Sequence, residues 1–191
     1  HFFTAAQAQG PARPLQCSTW NIFFSRPSLQ LRFAPPRATY ARMTHIIAIA
    51  NQKGGTAKTT TAAAFGVLLA RAGVKTHLVD MDPQASLTSA FGQSDAEGLL
   101  YQAMCRRGPL PMIPVSDNLT LTPSSIDLSR GETQFISETS REYILQTCLQ
   151  KTPSLADATV ILDCPPSLGV LSINCFTAAS RMCIVIQPGG F

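Results

Sequence analysis

No stretch of the 191-residue chain holds the roughly 18 to 20 consecutive apolar residues that a membrane-spanning helix needs. No membrane partner is therefore expected. The six cysteines (Cys17, Cys105, Cys148, Cys164, Cys175 and Cys183) contain no Cys-x-x-Cys pair, and no histidine stands near them at metal-ligand spacing. A zinc site or a disulfide framework has no support in this pattern. Cys164, Cys175 and Cys183 lie in or beside apolar segments, where cysteine acts as a small hydrophobe, so reduced structural thiols and a cytoplasmic setting are expected. Acidic residues are missing from the first 42 positions, which carry five arginines: Arg13, Arg26, Arg32, Arg37 and Arg42. The formal charge of +4 belongs to this leader, because residues 43–191 hold ten Lys and Arg against eleven Asp and Glu, a balance of −1.

The leader also lacks a helical or strand period, and Pro11, Pro14, Pro27, Pro35 and Pro36 interrupt it. Residues 1–42 read as an unstructured segment. An acid-free, Arg- and Ser-containing leader matches an organellar transit peptide in composition, but the amphipathic period is absent and the chain opens on His1. The expectation is an extension ahead of a native start at Met43, lying outside the native protein. With 45% apolar residues the chain as a whole is not disordered, and residues 43–191 suffice for one domain with a real core.

From Met43 onward the pattern is regular. His45–Ala50 is a short apolar run suited to a strand buried on both faces, Thr59–Ala72 reads as a helix ended by Gly73, and Thr76–Asp80 as a second strand. Ala85–Phe91 and Leu99–Arg106 read as helices separated by a turn-prone Ser94–Gly98 stretch. Leu119–Thr122 reads as a strand and Glu132–Lys151 as helical. Thr159–Asp163 and Met182–Ile186 read as strands, with a helix over Leu171–Ser180 between them. Alternating strands and helices predict an α/β fold: a parallel sheet with helices on both faces and ligand-binding loops beyond the carboxyl ends of its strands.

Three of those loops carry charge. Asn51-Gln52-Lys53-Gly54-Gly55-Thr56-Ala57-Lys58-Thr59-Thr60 has glycines that let backbone N–H groups close around phosphate oxygens, and the helix that follows adds its N-terminal dipole. Its Lys-Thr pair supplies a cation and a magnesium-ligating hydroxyl. The loop fails the GxxxxGK[ST] pattern, because Gln52 and Ala57 stand where both glycines belong, and alone it could be a turn that caps a helix. Asp80-Met81-Asp82-Pro83 and Asp163-Cys164-Pro165-Pro166 each end an apolar strand with an acid, a costly arrangement unless the acid caps a turn or serves a bound cation. Two such strand ends together with the Lys-Thr loop supply the parts of magnesium-dependent phosphoryl transfer: a phosphate cradle, a metal-side carboxylate and a group that orients water.

KGGTAKTT, VDMDPQ and VILDCPPSLG, in this order and separation, resemble the deviant Walker A, A′ and B motifs of the ParA family of partition ATPases. LTPSSIDLS and LSINCFTAA agree, so the resemblance covers most of residues 43–188. It implies a P-loop NTPase-like fold with ATP and Mg²⁺ held by Gly54, Gly55, Thr56, Ala57, Lys58, Thr59 and Thr60. Lys58 would contact the β- and γ-phosphates, and Thr59 would ligate Mg²⁺. Asp163 would hold the metal through water. Asp82 would orient the attacking water, with a water-mediated metal contact as a second option, and Asp80 is either a supporting partner or a strand-end cap. Lys53 corresponds to the family's signature lysine, which reaches the nucleotide of the opposite subunit in an ATP-dependent homodimer. The remaining implied partners are a ParB-like stimulator and nonspecific DNA, the latter with a nucleoid-associated location.

The sequence departs from the family at two places. Ala57 replaces a glycine, which strains the loop if the position needs positive φ and costs nothing otherwise. The family also continues for roughly another hundred residues beyond Phe191, so a C-terminally truncated domain is expected, its DNA-gripping basic surface lying in the missing part. Alternatives are a MinD-like cell-division regulator, an electron-transfer reductase similar to the nitrogenase iron protein, and a nonfunctional remnant. His45 and His77, at strand starts away from the loops, read as solvated strand-edge residues.

Overall fold

The computed structural model describes residues 45–93 and 98–186. The leader, most of the Ser94–Gly98 turn and the residues from Gln187 onward fall outside them. The described residues form six strands and six α-helices in the order β1 (His45–Ala50), α1 (Lys58–Arg71), β2 (Thr76–Asp80), α2 (Ser86–Ala90), α3 (Leu99–Arg106), β3 (Ile113–Ser116), β4 (Leu119–Thr122), α4 (Ser129–Gln134), α5 (Ile144–Gln150), β5 (Thr159–Asp163), α6 (Val170–Ala178) and β6 (Arg181–Ile184).

One sheet contains all six strands in the order β3-β4-β2-β5-β1-β6. Its pairings are parallel except at the β3 edge, which runs antiparallel to β4. The sequence pattern does not mark β3, because Pro111 and Pro114 interrupt the run; proline is tolerated there because an edge strand does not need every N–H for the ladder. The Glu132–Lys151 stretch divides into α4, 3-10 turns at Phe135–Ser137 and Arg141–Tyr143, and α5.

Alternate residues of the buried strands feed two apolar layers, as expected of a sheet covered on both faces. Ala48, Val79, Val160 and Leu162 pack with α5 and α6 residues such as Leu145, Cys148, Leu171 and Cys175. Ile49, Leu78, Leu121 and Ile161 pack on the opposite side with Ala62 and Ala70 of α1. Gly66 lets α1 lie close on the sheet, since a Cβ there would sit 2.8 Å from Leu78 Cδ2. The register that aligns Asp80 with Asp163 brings the carboxyl ends of β2 and β5 level, and the β1 pairing places Ile49 beside Asp163 from the other side.

His77 is buried in the central strand β2, not solvated at an edge. Thr122 Oγ1 donates to the Pro111 carbonyl at 2.6 Å, so it must accept from His77 Nε2 at 2.8 Å. Nδ1 is then left to accept from Thr120 Oγ1 at 2.8 Å. The imidazole is neutral, with burial lowering its pKa to about 3.

Candidate functional site

The loop after β1 is tied by its own short-range bonds. Asn51 Oδ1 accepts from Lys53 N at 2.8 Å, an Asx turn that starts the loop. Asn51 Nδ2 donates to the Val185 carbonyl at 2.6 Å and holds the loop's root against the chain after β6. Thr56 Oγ1 donates to the Lys53 carbonyl at 3.1 Å. The Lys58 side chain folds back along the loop, its Nζ donating to the same carbonyl at 3.3 Å, and Lys58 is buried. Gly55 has φ of +72°, and a Cβ at Gly54 or Gly55 would meet no protein atom within 4 Å, so the glycine strand of the loop faces open space.

Ala57 has φ 64° and ψ 28°, in the left-handed region. The position does favour glycine. The first turn of α1 contains no acid and no capping side chain bonds to it, leaving its N-terminal dipole available to an anion. Thr59 is half-buried beside Asp163, whereas Lys53, Gly54, Gly55, Ala57 and Thr60 are exposed and Thr56 is buried.

The three aspartates have separate environments. Asp80 Oδ2 accepts from Thr88 N at 2.8 Å and Thr88 Oγ1 at 2.6 Å, and its Oδ1 accepts from Asp82 N at 3.2 Å. Thr88 Oγ1 in turn accepts from Ser124 N at 2.9 Å. Asp80 is thus a buried tie between β2, α2 and the loop after β4. Burial raises its pKa to about 6 against the opposing pull of the Thr88 hydrogen bonds. Asp82 is half-buried; its Oδ1 accepts from Gln84 N at 2.9 Å, a turn cap that engages one of its two oxygens. Asp163 is 1% exposed, and neither carboxylate oxygen has a hydrogen-bond partner of ordinary geometry, the Thr59 hydroxyl lying close enough only to pull its pKa down. Burial raises its pKa to about 7; the nearby Thr59 hydroxyl and Lys58 ammonium oppose the rise, while Asp80 and Asp82 add to it.

An orphaned buried carboxylate costs several kcal/mol unless something else completes it. Asp163, the adjacent Thr59 hydroxyl and the uncapped start of α1 form a donor set that fits a hydrated divalent cation beside a phosphate chain. Next to the loop, Asn51, Gln52, Pro165, Leu168 and Met182 line a cleft of about 190 Å³. Sequence reasoning missed Thr88 and Glu132. Thr88 follows Asp80 by eight residues, a spacing with no motif, and Glu132 reaches α6 only through the fold.

A phosphate-type loop between β1 and α1, with acids at the ends of the adjacent strands β2 and β5, defines a P-loop nucleotide-binding domain. Comparison with known proteins agrees. The family model described as an AAA domain matches residues 44–191. The chain is 39% identical over 150 residues to the sporulation initiation inhibitor protein Soj of Bacillus subtilis, covering 76% of this chain and 59% of that protein. It is 37% identical over 153 residues to the chromosome partitioning protein ParA of Myxococcus xanthus, covering 78% and 54%. Among solved structures, cobyrinic acid a,c-diamide synthase from Mycobacterium smegmatis with bound ATP analog and magnesium superposes with TM-score 0.72 at 38% identity, covering 76% of this chain and 59% of that one. The chain belongs to the ParA family of P-loop ATPases. It spans between one half and three fifths of the length of these relatives.

Proposed function

We propose that residues 43–191 form the nucleotide-binding part of a ParA-type partition ATPase, which binds ATP with Mg²⁺, hydrolyses it to ADP and phosphate, and uses the bound nucleotide to control dimerisation. The observation that carries this reading is Asp163, buried with both oxygens unpartnered beside Thr59 and Lys58. The ATP analog and magnesium bound to the M. smegmatis protein support the cofactor assignment, although that protein's name denotes a different reaction. The name chromosome partitioning protein ParA supports a role in partition of a chromosome, with a plasmid as the alternative cargo.

In this reading the amides of Gly54 to Thr60 and the start of α1 hold the phosphates, and Lys58 leaves the Lys53 carbonyl to meet them. Thr59 and, through water, Asp163 would hold Mg²⁺. When bound, the metal neutralises charge on the phosphate oxygens. Asp82, with one oxygen committed to the Gln84 amide, presents the other to orient water. The exposed Lys53 side chain would serve the opposite subunit of a homodimer, where a cation delivered on assembly makes hydrolysis conditional on partnership. A ParB-like stimulator and nonspecific DNA are the proposed partners, with DNA contacts supplied by the part of the relatives' length that this chain does not span. No helix among the described residues is long and apolar enough to cross a membrane.

The test is ATP turnover by the chain with and without plasmid DNA, in magnesium and in EDTA, beside Lys58→Ala. Magnesium-dependent turnover that falls at least about 100-fold in the variant is expected. Equal, near-zero rates in both proteins would overturn the ATPase reading.

A further inference from the structure

Between Asp163 and α6 lies a six-residue loop, Cys164–Gly169, that is pinned at both ends and in the middle. Cys164 N donates to the Ile49 carbonyl at 3.1 Å, fixing the start to β1. Ser172 Oγ donates to the Ser167 carbonyl and holds the middle. The far end is held from a distant part of the chain. Glu132 Oε2, on α4, accepts from Val170 N at 2.9 Å, across 38 positions of sequence. It does so where α6 has no capping side chain of its own at Gly169.

Two further observations mark Glu132 as fitted to this place. A Cβ on Gly169 would lie 2.1 Å from Glu132 Oε2 and 2.6 Å from its Cδ, so any larger residue there would displace the carboxylate that fills its space. Its φ of −79° is open to any residue and gives no other reason for glycine. The second carboxylate oxygen, Oε1, is buried without a partner, so the side chain bears a desolvation cost to sit there. A carboxylate against the first turn of a helix is stabilised by its dipole, which offsets part of that cost.

We propose that Glu132 is a positioning residue for Asp163: it latches the start of α6 and thereby fixes the loop that leaves β5 directly after the metal-side carboxylate. The inference rests on the nucleotide reading above. Glu132 makes no hydrogen bond to Asp163 or to the phosphate loop; it acts by holding the Cys164–Gly169 segment at its far end, as outer partners of metal-site groups do. The same contact joins the LTPSSIDLSRGE stretch to the loop that ends β5. That gives the former segment a role in the site without any direct contact to it.

The experiment uses the full chain and four variants: Glu132→Ala, Glu132→Gln, Gly169→Ala and the double variant Glu132→Ala/Gly169→Ala. Two quantities are read: hydrogen exchange of the peptide covering residues 164–172 in the ligand-free chain, and binding of a fluorescent ATP analogue over a magnesium titration and in EDTA. Both single alanine variants should exchange faster over that peptide and need about tenfold more magnesium for half-maximal binding, with binding in EDTA unchanged. Glu132→Gln keeps an acceptor oxygen and should stay close to the parent. The double variant should be no worse than Glu132→Ala alone, because removing the carboxylate frees the space that the alanine methyl needs. Equal loss with and without magnesium would reduce Glu132 to a structural role and overturn the proposal, as would unchanged exchange and magnesium dependence, or additive losses in the double variant. A parent chain whose ATP-analogue binding is indifferent to magnesium would overturn the nucleotide reading and this proposal together, and is told apart because it precedes any substitution.

Discussion

At the scale of single residues, two positions of the candidate site carry a cost in the ligand-free fold. Ala57 sits at φ 64°, where an L-residue is disfavoured by roughly 1–2 kcal/mol, part of which a glycine returns as unfolded-state entropy. Ala57→Gly should stabilise the chain by about 0.5–1 kcal/mol and raise its thermal midpoint by about 2–4 °C, read by thermal denaturation. An unchanged or lowered midpoint would mean that the alanine is not strained. Asp163 is the second case. Its pKa rises from 3.8 in the unfolded range to about 7 in the fold, so the ligand-free fold binds the extra proton between those values. Stability from this group is therefore greatest below about pH 4 and is lost as pH climbs to about 7, a cost on the order of 4 kcal/mol at most. Asp163→Asn should make the ligand-free chain more stable at pH 8 than the parent, with little difference at pH 4. It should also lose the stabilisation that magnesium and ATP confer on the parent, read by the same melts with and without ligand. Lower stability at pH 8 would show that the carboxylate has a protein partner.

At the scale of elements, β2 concentrates two buried titratable groups, Asp80 and His77, in one strand. His77 is the reverse of Asp163. Its folded pKa of about 3 against 6.5 unfolded means that acid protonates the unfolded chain first, so the stability it allows is present above pH 6.5 and is lost as pH falls toward 3. The full loss is on the order of 4–5 kcal/mol. Because Asp80 and Asp163 gain stability over part of the same range, the difference between parent and variant is the useful measurement. His77→Gln keeps a donor and an acceptor for the two threonines. It should cost about 1–2 kcal/mol at pH 7 and lose less stability than the parent between pH 6.5 and 4, read by urea denaturation. Parallel pH profiles would place His77 outside the acid response.

The strands that can be read directly include those whose burial is written in near-continuous apolar residues, His45–Ala50, Thr76–Asp80 and Thr159–Asp163 matching β1, β2 and β5, and Leu119–Thr122, which matches β4. Edge strand β3 is illegible because Pro114 interrupts it and its neighbours do not bury both faces. The helical period over Glu132–Lys151 hides two breaks, since Phe135 is buried by tertiary packing and not by continuing the α4 helix. The site divides in the same way. Lys58, Thr59 and Asp163 can be picked out because local spacing puts them in charged loops after apolar strands, while the roles proposed for them rest on the family resemblance. Thr88, Glu132 and the burial of His77 depend on which elements the sheet order brings together, and no local pattern encodes that.

For the whole molecule, the question is why a loop that fixes Lys58 so closely leaves the Lys53 side chain exposed. The backbone of Lys53 is fully engaged, giving its N–H to Asn51 and its carbonyl to both Thr56 and Lys58. A cation held on so constrained a backbone and open to solvent suits a site completed by a second copy. Turnover per chain should then rise with protein concentration in the parent, because in the proposed reading assembly is bimolecular and hydrolysis follows it. Lys53→Ala should bind the ATP analogue within about twofold of the parent, since its backbone contacts survive, yet show turnover reduced about 100-fold or more and independent of concentration. Concentration-dependent turnover that persists in the variant would remove the cross-subunit role. Loss of binding in the variant would instead assign the side chain to its own phosphate loop. The leader arginines do not enter this test, because the charge that matters for it lies at one exposed residue in a domain whose overall balance is −1.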